Sequence, residues 1–365
     1  MVRHSYGRSK HTMEKIIRMI LEAKRPLLIV GGGIRLANAT KELRLLVNRL
    51  HIPVVSTAMG IDLVEHSSPY YMGHGGTKGN RSANIIIQKA DLIISIGSRL
   101  CISFVGHNPD QFAPFAKKII VDVDPREHSK KTIKIDFFAE TDAKSFIIWL
   151  LETIAFYERP EWLRECQLIK KKSLDFSGTP MYKAIMKISD LSKENDIFTT
   201  DSGVTAFTAI QTIRIKKGQR FLVPGTLTMG YGLPAIIGAW ATHPKGRIIA
   251  IIGDGSFPMA VHELQTIVHN KIPAKIFVIN NEGYLAIRTT EKNNFGRMIG
   301  ESSESGVSFP SIKKIAKAYG IQYYRNIEKA MKYNGTVICE IITPKWQPHL
   351  TVMFGKPNDQ MNPPL

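Results

Sequence analysis

Apolar residues recur at helical spacing through MEKIIRMILEA (Met13–Ala23), and the run RPLLIVGGG (Arg25–Gly33) that follows is unbroken until its glycines. The first pattern predicts an amphipathic helix, the second a strand buried on both faces and ending in a turn. The alternation continues. KELRLLVNRL (Lys41–Leu50) reads as a helix and IPVVSTA (Ile52–Ala58) as a strand. SANIIIQKADLIISIGSRL (Ser82–Leu100) passes from helix to strand, and AKKIIVDVDP (Ala116–Pro125) adds a strand closed by an Asp-Pro turn. Strands alternating with helices predict a doubly wound parallel sheet, which binds ligands at the carboxyl ends of its strands.

Residues 157–179 carry much charge and little strand pattern. They read as a helix and an exposed linker, placing a domain boundary near residue 170. Beyond it the alternation resumes. KENDIFTTDSG (Lys193–Gly203) is a strand ending in a polar turn, and TMGYGLPAIIGAWA (Thr228–Ala241) is glycine-rich and then helical. RIIAII (Arg247–Ile252) reads as a central strand, MAVHELQTIVHN (Met259–Asn270) as a crossover helix with Pro258 near its first turn, and AKIFVI (Ala274–Ile279) as the next strand. The expected fold class is α/β, with two doubly wound parallel-sheet domains at residues 1–170 and 171–365.

The candidate chemistry lies at the ends of these last two strands. Gly253-Asp254-Gly255-Ser256 has the shape of a phosphate loop, with Ser256 placed as a helix N-cap or phosphate donor, but no lysine follows and Asp254 is an acid. If the flanking strands are neighbours, Asp254 faces Asn280-Asn281 across one crevice. Carboxylate and amide oxygens are hard ligands of the kind Mg²⁺ or Ca²⁺ takes. An acid repels phosphate alone but holds it through a bound divalent cation. Two other motifs are weaker. Gly31 and Gly33 suggest a dinucleotide fingerprint, but Leu36 stands at the third glycine position and no acid ends the next strand, so a tight turn is favoured. Asp122 and Asp124 share one side of a strand, and an Asp-Pro turn accounts for them.

Composition changes this picture little. The formal net charge of +18 raises the question of nucleic acid, but the basic residues are spread along the chain without interleaved aromatics and read as a solvated surface. Neither nucleic acid nor a membrane is expected as a partner. The three cysteines show no metal or disulfide spacing, the N-terminal residues lack a secretion-signal core, and no apolar run is long enough to cross a bilayer. A cytoplasmic setting is the expectation.

GDGS followed by INNEGY after one helix and one strand resembles the signature of thiamine diphosphate enzymes of the acetolactate synthase and pyruvate decarboxylase group. TMGYGLPAIIGA is similar to their segment that meets the aminopyrimidine ring. GNRSANIIIQKADLIISIGSRL and FAKKIIVDVDP resemble their middle domain, and FPSIKKIAKAYGI (Phe309–Ile321) the region after the cofactor loop. The resemblance covers nearly the whole chain and implies a Rossmann-like middle domain followed by a thiamine diphosphate-binding domain. It implies that Asp254, the Asn281 side chain and the Gly283 carbonyl ligate Mg²⁺. It implies further that Gly255, Ser256 and the amides near Tyr284 hold the diphosphate, and that Asp201 and Gly203 belong to the same cofactor site. Met229 becomes the wedge that bends the cofactor, and the Leu227 carbonyl meets its 4′-amino group.

The implied reaction is decarboxylation of a 2-oxo acid such as pyruvate and carboligation to a second 2-oxo acid. In such enzymes the site forms between two subunits, so a homodimer, or a separate chain with the pyrimidine-binding domain, is the expected partner. That domain supplies the activating glutamate, and no catalytic residue is identified in this chain to replace it. The sequence departs from the family in two further places. Val204-Thr205 replaces a polar Gln-His pair, and Arg99-Leu100-Cys101-Ile102-Ser103 lacks the acids and second arginine of the FAD-holding synthases, so tight FAD is not expected. Competing readings are a silent cofactor-binding chain, an FAD- or nucleotide-binding oxidoreductase, and a Mg²⁺-dependent phosphohydrolase built from Asp254 with Asp122 or Asp124. Ala286–Phe309 reads as a polar lid over the site, and Phe354–Leu365 as an early-ending tail.

Overall fold

The computed structural model describes residues 10–128, 133–154, 157–173, 179–226 and 228–347. They form two compact units, one within residues 10–173 and the other within 179–347. The tail from Phe354 to Leu365 lies outside the described residues.

In the first unit β1 (Pro26–Val30), β2 (Val54–Ser56), β3 (Tyr71–His74), β4 (Leu92–Ile96), β5 (Lys117–Asp122) and β6 (Phe137–Glu140) lie in the order β3-β2-β1-β4-β5-β6, every pair parallel. Alternation along the strands feeds two cores. Leu28, Val30, Ile94, Ile96, Ile119 and Val121 pack with helices Lys10–Glu22, Thr40–Leu50 and Ala143–Thr153. Leu27, Ile29, Ile93 and Ile120 pack with helices Arg81–Lys89 and Pro160–Lys172 on the other face. Each such side chain contributes about 1.5–3 kcal/mol relative to exposure. Helix Ala143–Thr153 starts at Asp142, whose carboxylate accepts the Ser145 N–H at 3.1 Å.

The strand order reverses between β1 and β4, where the triple glycine sits. A Cβ at Gly31 would lie 2.2 Å from the Gly97 carbonyl oxygen, and one at Gly33 would lie 2.7 Å from the Gly97 Cα. The glycines therefore let two strand-end turns touch backbone to backbone. Asp122 accepts the Asp124 N–H at 3.1 Å, and Asp124 pairs with Arg126 through Nε and Nη2 at 2.9 Å each. These acids build a turn.

In the second unit β7 (Ile197–Thr200), β8 (Arg220–Leu222), β9 (Ile248–Gly253), β10 (Ala274–Asn280), β11 (Gln322–Tyr324) and β12 (Val337–Ile342) give the order β11-β12-β10-β9-β7-β8, again all parallel. β9 and β10 are neighbours, with Ile279 opposite Gly253. The crossover between them differs from the single long helix that the pattern predicts. Residues Phe257–Ala260 form a 3-10 turn, and the α-helix spans only Glu263–His269. Bonds of the i to i+3 type run from Ser256–Met259 to His262–Gln265. Pro258, with no N–H to donate, suits that tighter start.

Candidate active site

β9 delivers Asp254 to the carboxyl edge of the second sheet. The Asp254 N–H still donates to the Ile279 carbonyl at 2.9 Å, so the residue is held as firmly as the strand. Its side chain is buried and joins two loops. Oδ1 accepts the Gly255 N–H at 2.9 Å, and Oδ2 accepts the N–H groups of Asn281 and Gly283 at 3.1 Å each. The sequence expectation that Asp254 meets the end of β10 is therefore a geometric fact of this fold. Burial pushes the Asp254 carboxyl up to about 6, although these amides oppose the shift.

The two asparagines after β10 do different work. The Asn280 side chain donates to Glu340 Oε1 at 2.7 Å and accepts the Glu282 N–H at 3.0 Å. It shapes the loop, with Glu282 in a left-handed conformation at φ +56°. Asn281 is 3% exposed, and its Oδ1 is a buried acceptor with no hydrogen-bond partner among the described residues. Such an atom costs about 1–3 kcal/mol when unsatisfied. Gly283 has φ +149°, and a Cβ there would lie 2.2 Å from the Glu301 carbonyl oxygen. Its own carbonyl accepts the Leu285 N–H at 3.1 Å, which leaves a second lone pair.

A divalent cation fits this donor set. The carboxylate, the orphan amide oxygen and the backbone oxygen are hard ligands, and a cation would satisfy the amide while favouring the ionised acid. Among the described residues no group of three His, Cys, Asp or Glu side chains stands ready to hold a metal. The fit here rests on the amide and the backbone instead.

The remaining expected site residues that are described fall around this edge, with differences in role. Asp201, after β7, accepts the N–H groups of Gly230 at 2.9 Å and Gly232 at 2.7 Å, and the Ser256 hydroxyl also bonds to it. Its carboxyl is raised above the ordinary range by burial. Asp201 thus fixes the Met229–Gly232 turn and Ser256 together. Met229 is half-buried beside Gly230, whose φ is +85°. Gly203 opens helix Gly203–Thr212 at φ +70°, with no atom of the described residues within 4 Å of an added Cβ. The Tyr284 ring lies against Gly255, where a Cβ would come 2.3 Å from its Cε1, and meets Phe309 edge-on at 5.1 Å. Leu227 lies outside the described residues. Sequence reasoning missed Glu340, Arg288 and Glu301, which hold the loop from below. An acid inside the strand VICEII (Val337–Ile342), 5% exposed, is the signal that a buried polar partner exists.

Comparison with known proteins matches both units of the chain. Residues 13–150 match the central domain of thiamine pyrophosphate enzymes, and residues 201–341 match their C-terminal thiamine pyrophosphate binding domain. The chain is 31% identical over 378 residues to the acetolactate synthase large subunit of Cyanidium caldarium, covering 98% of this chain and 64% of that protein. It is 32% identical over 367 residues to that of Porphyra purpurea, covering 94% and 61%. With the acetolactate synthase isozyme 2 large subunit of Escherichia coli K12 the identity is 30% over 315 residues, covering 85% and 56%. The chain spans about three-fifths of the length of these curated relatives. With two parallel α/β units matched in order and identity extending along nearly its whole length, the chain belongs to the thiamine pyrophosphate enzyme family and is similar to acetolactate synthase large subunits.

Proposed function

We propose that this chain is the thiamine diphosphate- and Mg²⁺-binding portion of an acetolactate synthase-like enzyme. The observation that carries the reading is the buried Oδ1 of Asn281, without a partner among the described residues, beside the Asp254 carboxylate. Asp254, Asn281 and the Gly283 carbonyl would hold the metal, and through it the diphosphate. Gly255 and Ser256 would border the phosphates, and Met229 would support the cofactor from the turn that Asp201 fixes. When bound, thiamine diphosphate supplies the electron sink that lets a 2-oxo acid lose carbon dioxide. The substrates are then pyruvate or a similar 2-oxo acid and a second 2-oxo acid as acceptor.

The activating glutamate is assigned to a pyrimidine-type domain, carried either by another segment of the polypeptide or by a partner chain. Sites of this kind complete themselves across two subunits, and a homodimer or a pair of unlike chains fits that need. These 365 residues alone are expected to bind the cofactor and turn pyruvate over negligibly. The setting is a reducing one such as the cytoplasm, in keeping with free Cys101, Cys166 and Cys339. No described helix is long and apolar enough to cross a membrane.

Calorimetry with thiamine diphosphate and Mg²⁺ tests the reading. Binding by the wild-type chain and its loss in Asp254→Ala and Asn281→Ala are expected. A wild-type chain that binds nothing, or variants that bind as well, would sink it. Robust acetolactate formation by these residues alone would overturn the assignment of the activating acid elsewhere.

A further inference from the structure

Beneath the loop that carries Asn281 and Gly283 lies Arg288, on helix Leu285–Asn294 and only 2% exposed. Its guanidinium is spread over four acceptors. Nη1 donates to the Asn281 carbonyl at 3.3 Å and the Lys345 carbonyl at 2.5 Å, Nη2 to the Glu282 carbonyl at 3.0 Å, and Nε to Glu301 Oε2 at 2.5 Å. Glu301 is itself held, since its Oε1 accepts the hydroxyls of Ser302 at 2.6 Å and Ser305 at 3.3 Å. The Glu301 backbone returns to the same loop, where its carbonyl accepts the Tyr284 N–H at 2.8 Å. Gly283 is wedged between the pair, because a Cβ there would lie 2.2 Å from the Glu301 oxygen and 2.3 Å from Arg288 Nη2.

This is more than a buried ion pair. Two of the four bonds end on consecutive carbonyls of the loop, one of them the carbonyl of the residue with the orphan amide. A carbonyl tied downwards fixes the peptide plane, and that plane sets the direction of the following N–H. The Glu282 carbonyl shares its peptide with the Gly283 N–H, which reaches Asp254 Oδ2, and the Asn281 carbonyl shares its peptide with the Glu282 N–H, which donates to Asn280 Oδ1. Glu282, a non-glycine residue at φ +56°, is kept in its left-handed state by the Arg288 bond to its carbonyl and the Asn280 bond to its N–H. Lysine in place of Arg288 would keep the charge but could not span four acceptors with a planar fork.

We propose that Arg288, braced by Glu301, is the positioning residue of the metal loop, setting the Asn281–Gly283 peptides so that the loop's oxygens accept a divalent cation. The proposal rests on the metal reading above, and its test separates the two. Mn²⁺ replaces Mg²⁺ as the probe. The free ion is followed by electron paramagnetic resonance during titration of the full chain with saturating thiamine diphosphate. Arg288→Lys and Glu301→Gln are compared with the wild type and with Arg247→Lys. Arg247 pairs with the buried Asp196 through Nε at 3.0 Å and Nη2 at 2.5 Å, at the amino ends of β9 and β7 away from the loop.

Loss of supporting partners around a metal site weakens affinity by about 10–100-fold. That loss is expected in Arg288→Lys and Glu301→Gln. Arg247→Lys is expected to lower the melting temperature while Mn²⁺ affinity stays within about twofold of wild type on the same scale. Folded Arg288→Lys and Glu301→Gln proteins with wild-type affinity would overturn the proposal. So would an equal affinity loss in Arg247→Lys, which would make the effect one of general destabilisation. If Arg288→Lys does not fold, Glu301→Gln, which keeps the shape of the side chain, decides by the same criteria. No Mn²⁺ binding by the wild type would overturn the metal reading, and this proposal with it.

Discussion

Replacing Asn281 with leucine should leave the free chain as stable as the wild type, or more so, while abolishing its response to cofactor. Asn281 is 3% exposed and its Oδ1 has no partner among the described residues. Removing an unsatisfied buried acceptor returns about 1–3 kcal/mol. Leucine has the same branched skeleton and is bulkier only at its two ends, so overpacking takes back about 1 kcal/mol, the low end of its usual range. The net is about 0–2 kcal/mol, since the two effects partly cancel. For a unit of this size each kcal/mol moves the midpoint about 2–4 °C, so the free variant should melt between the wild-type temperature and about 8 °C above it. If the proposed site binds thiamine diphosphate and Mg²⁺, the wild type at a hundredfold excess over Kd should gain about 2.7 kcal/mol, or roughly 5–10 °C. The variant should gain nothing. Scanning calorimetry, which resolves the transitions of the two units, reads both quantities. A free variant melting well below the wild type would mean that Oδ1 has a stabilising role in the chain itself. A variant that keeps the cofactor-induced shift would mean that the amide is not a ligand. Either result refutes the reasoning.

Two glycines separate close packing from backbone conformation. Gly283→Ala forces a Cβ to 2.2 Å from the Glu301 oxygen, whereas among the described residues Gly203→Ala meets nothing within 4 Å and is strained by φ +70°. Gly203→Ala should cost about 1–2 kcal/mol in urea unfolding and Gly283→Ala clearly more, and equal costs would contradict the packing. His74, buried in the first unit with Nδ1 3.2 Å from the Ser56 carbonyl, has its pKa lowered to about 4 by burial. The unfolded chain then takes up a proton near pH 6.5 that the folded unit refuses. Stability from the neutral imidazole is complete above that pH and lost as pH falls towards 4, by about 3 kcal/mol. His74→Gln should flatten that part of the pH–stability curve, and an unchanged slope would show that the histidine is protonated in place.

Much of this was legible because central strands of parallel sheets are apolar on both faces. Ile248–Ile252 and Ala274–Ile279 announce themselves in that way, and their register then places Asp254 beside Asn281 with no further information. β8 (Arg220–Leu222) and β11 (Gln322–Tyr324) escape such a reading because they are three-residue edge strands with partly exposed side chains. β3 (Tyr71–His74) has a glycine and no β-branched residue, although it is wholly buried. The site divides in the same manner. Asp254 and Asn281 sit at fixed distances from strand ends, so spacing finds them. Arg288 and Glu301 are joined through a turn whose course no periodicity encodes, and in the sequence they resemble any surface arginine and glutamate.

Two groups in this crevice are disfavoured in the free chain for the same reason. Burial raises the Asp254 carboxyl to about 6, which penalises its ionised form, and the Asn281 amide oxygen lacks a partner among the described residues. Neither the charge of Asp254 nor the side-chain amide of Asn281 is needed to hold the loop. The Asp254–loop bonds run to backbone N–H groups that a neutral acceptor could also receive, and Asn280, not Asn281, shapes the turn through Glu340 and the Glu282 N–H. A fold that only had to be stable would place an apolar side chain at 281. The penalties share a remedy, because a divalent cation favours the carboxylate and accepts the amide oxygen in one step. The asparagine doublet is thus two residues with opposite energetics. Asn280 is bonded through both its amide nitrogen and its amide oxygen and belongs to the scaffold, while Asn281 is left incomplete by the scaffold and belongs to whatever the site holds.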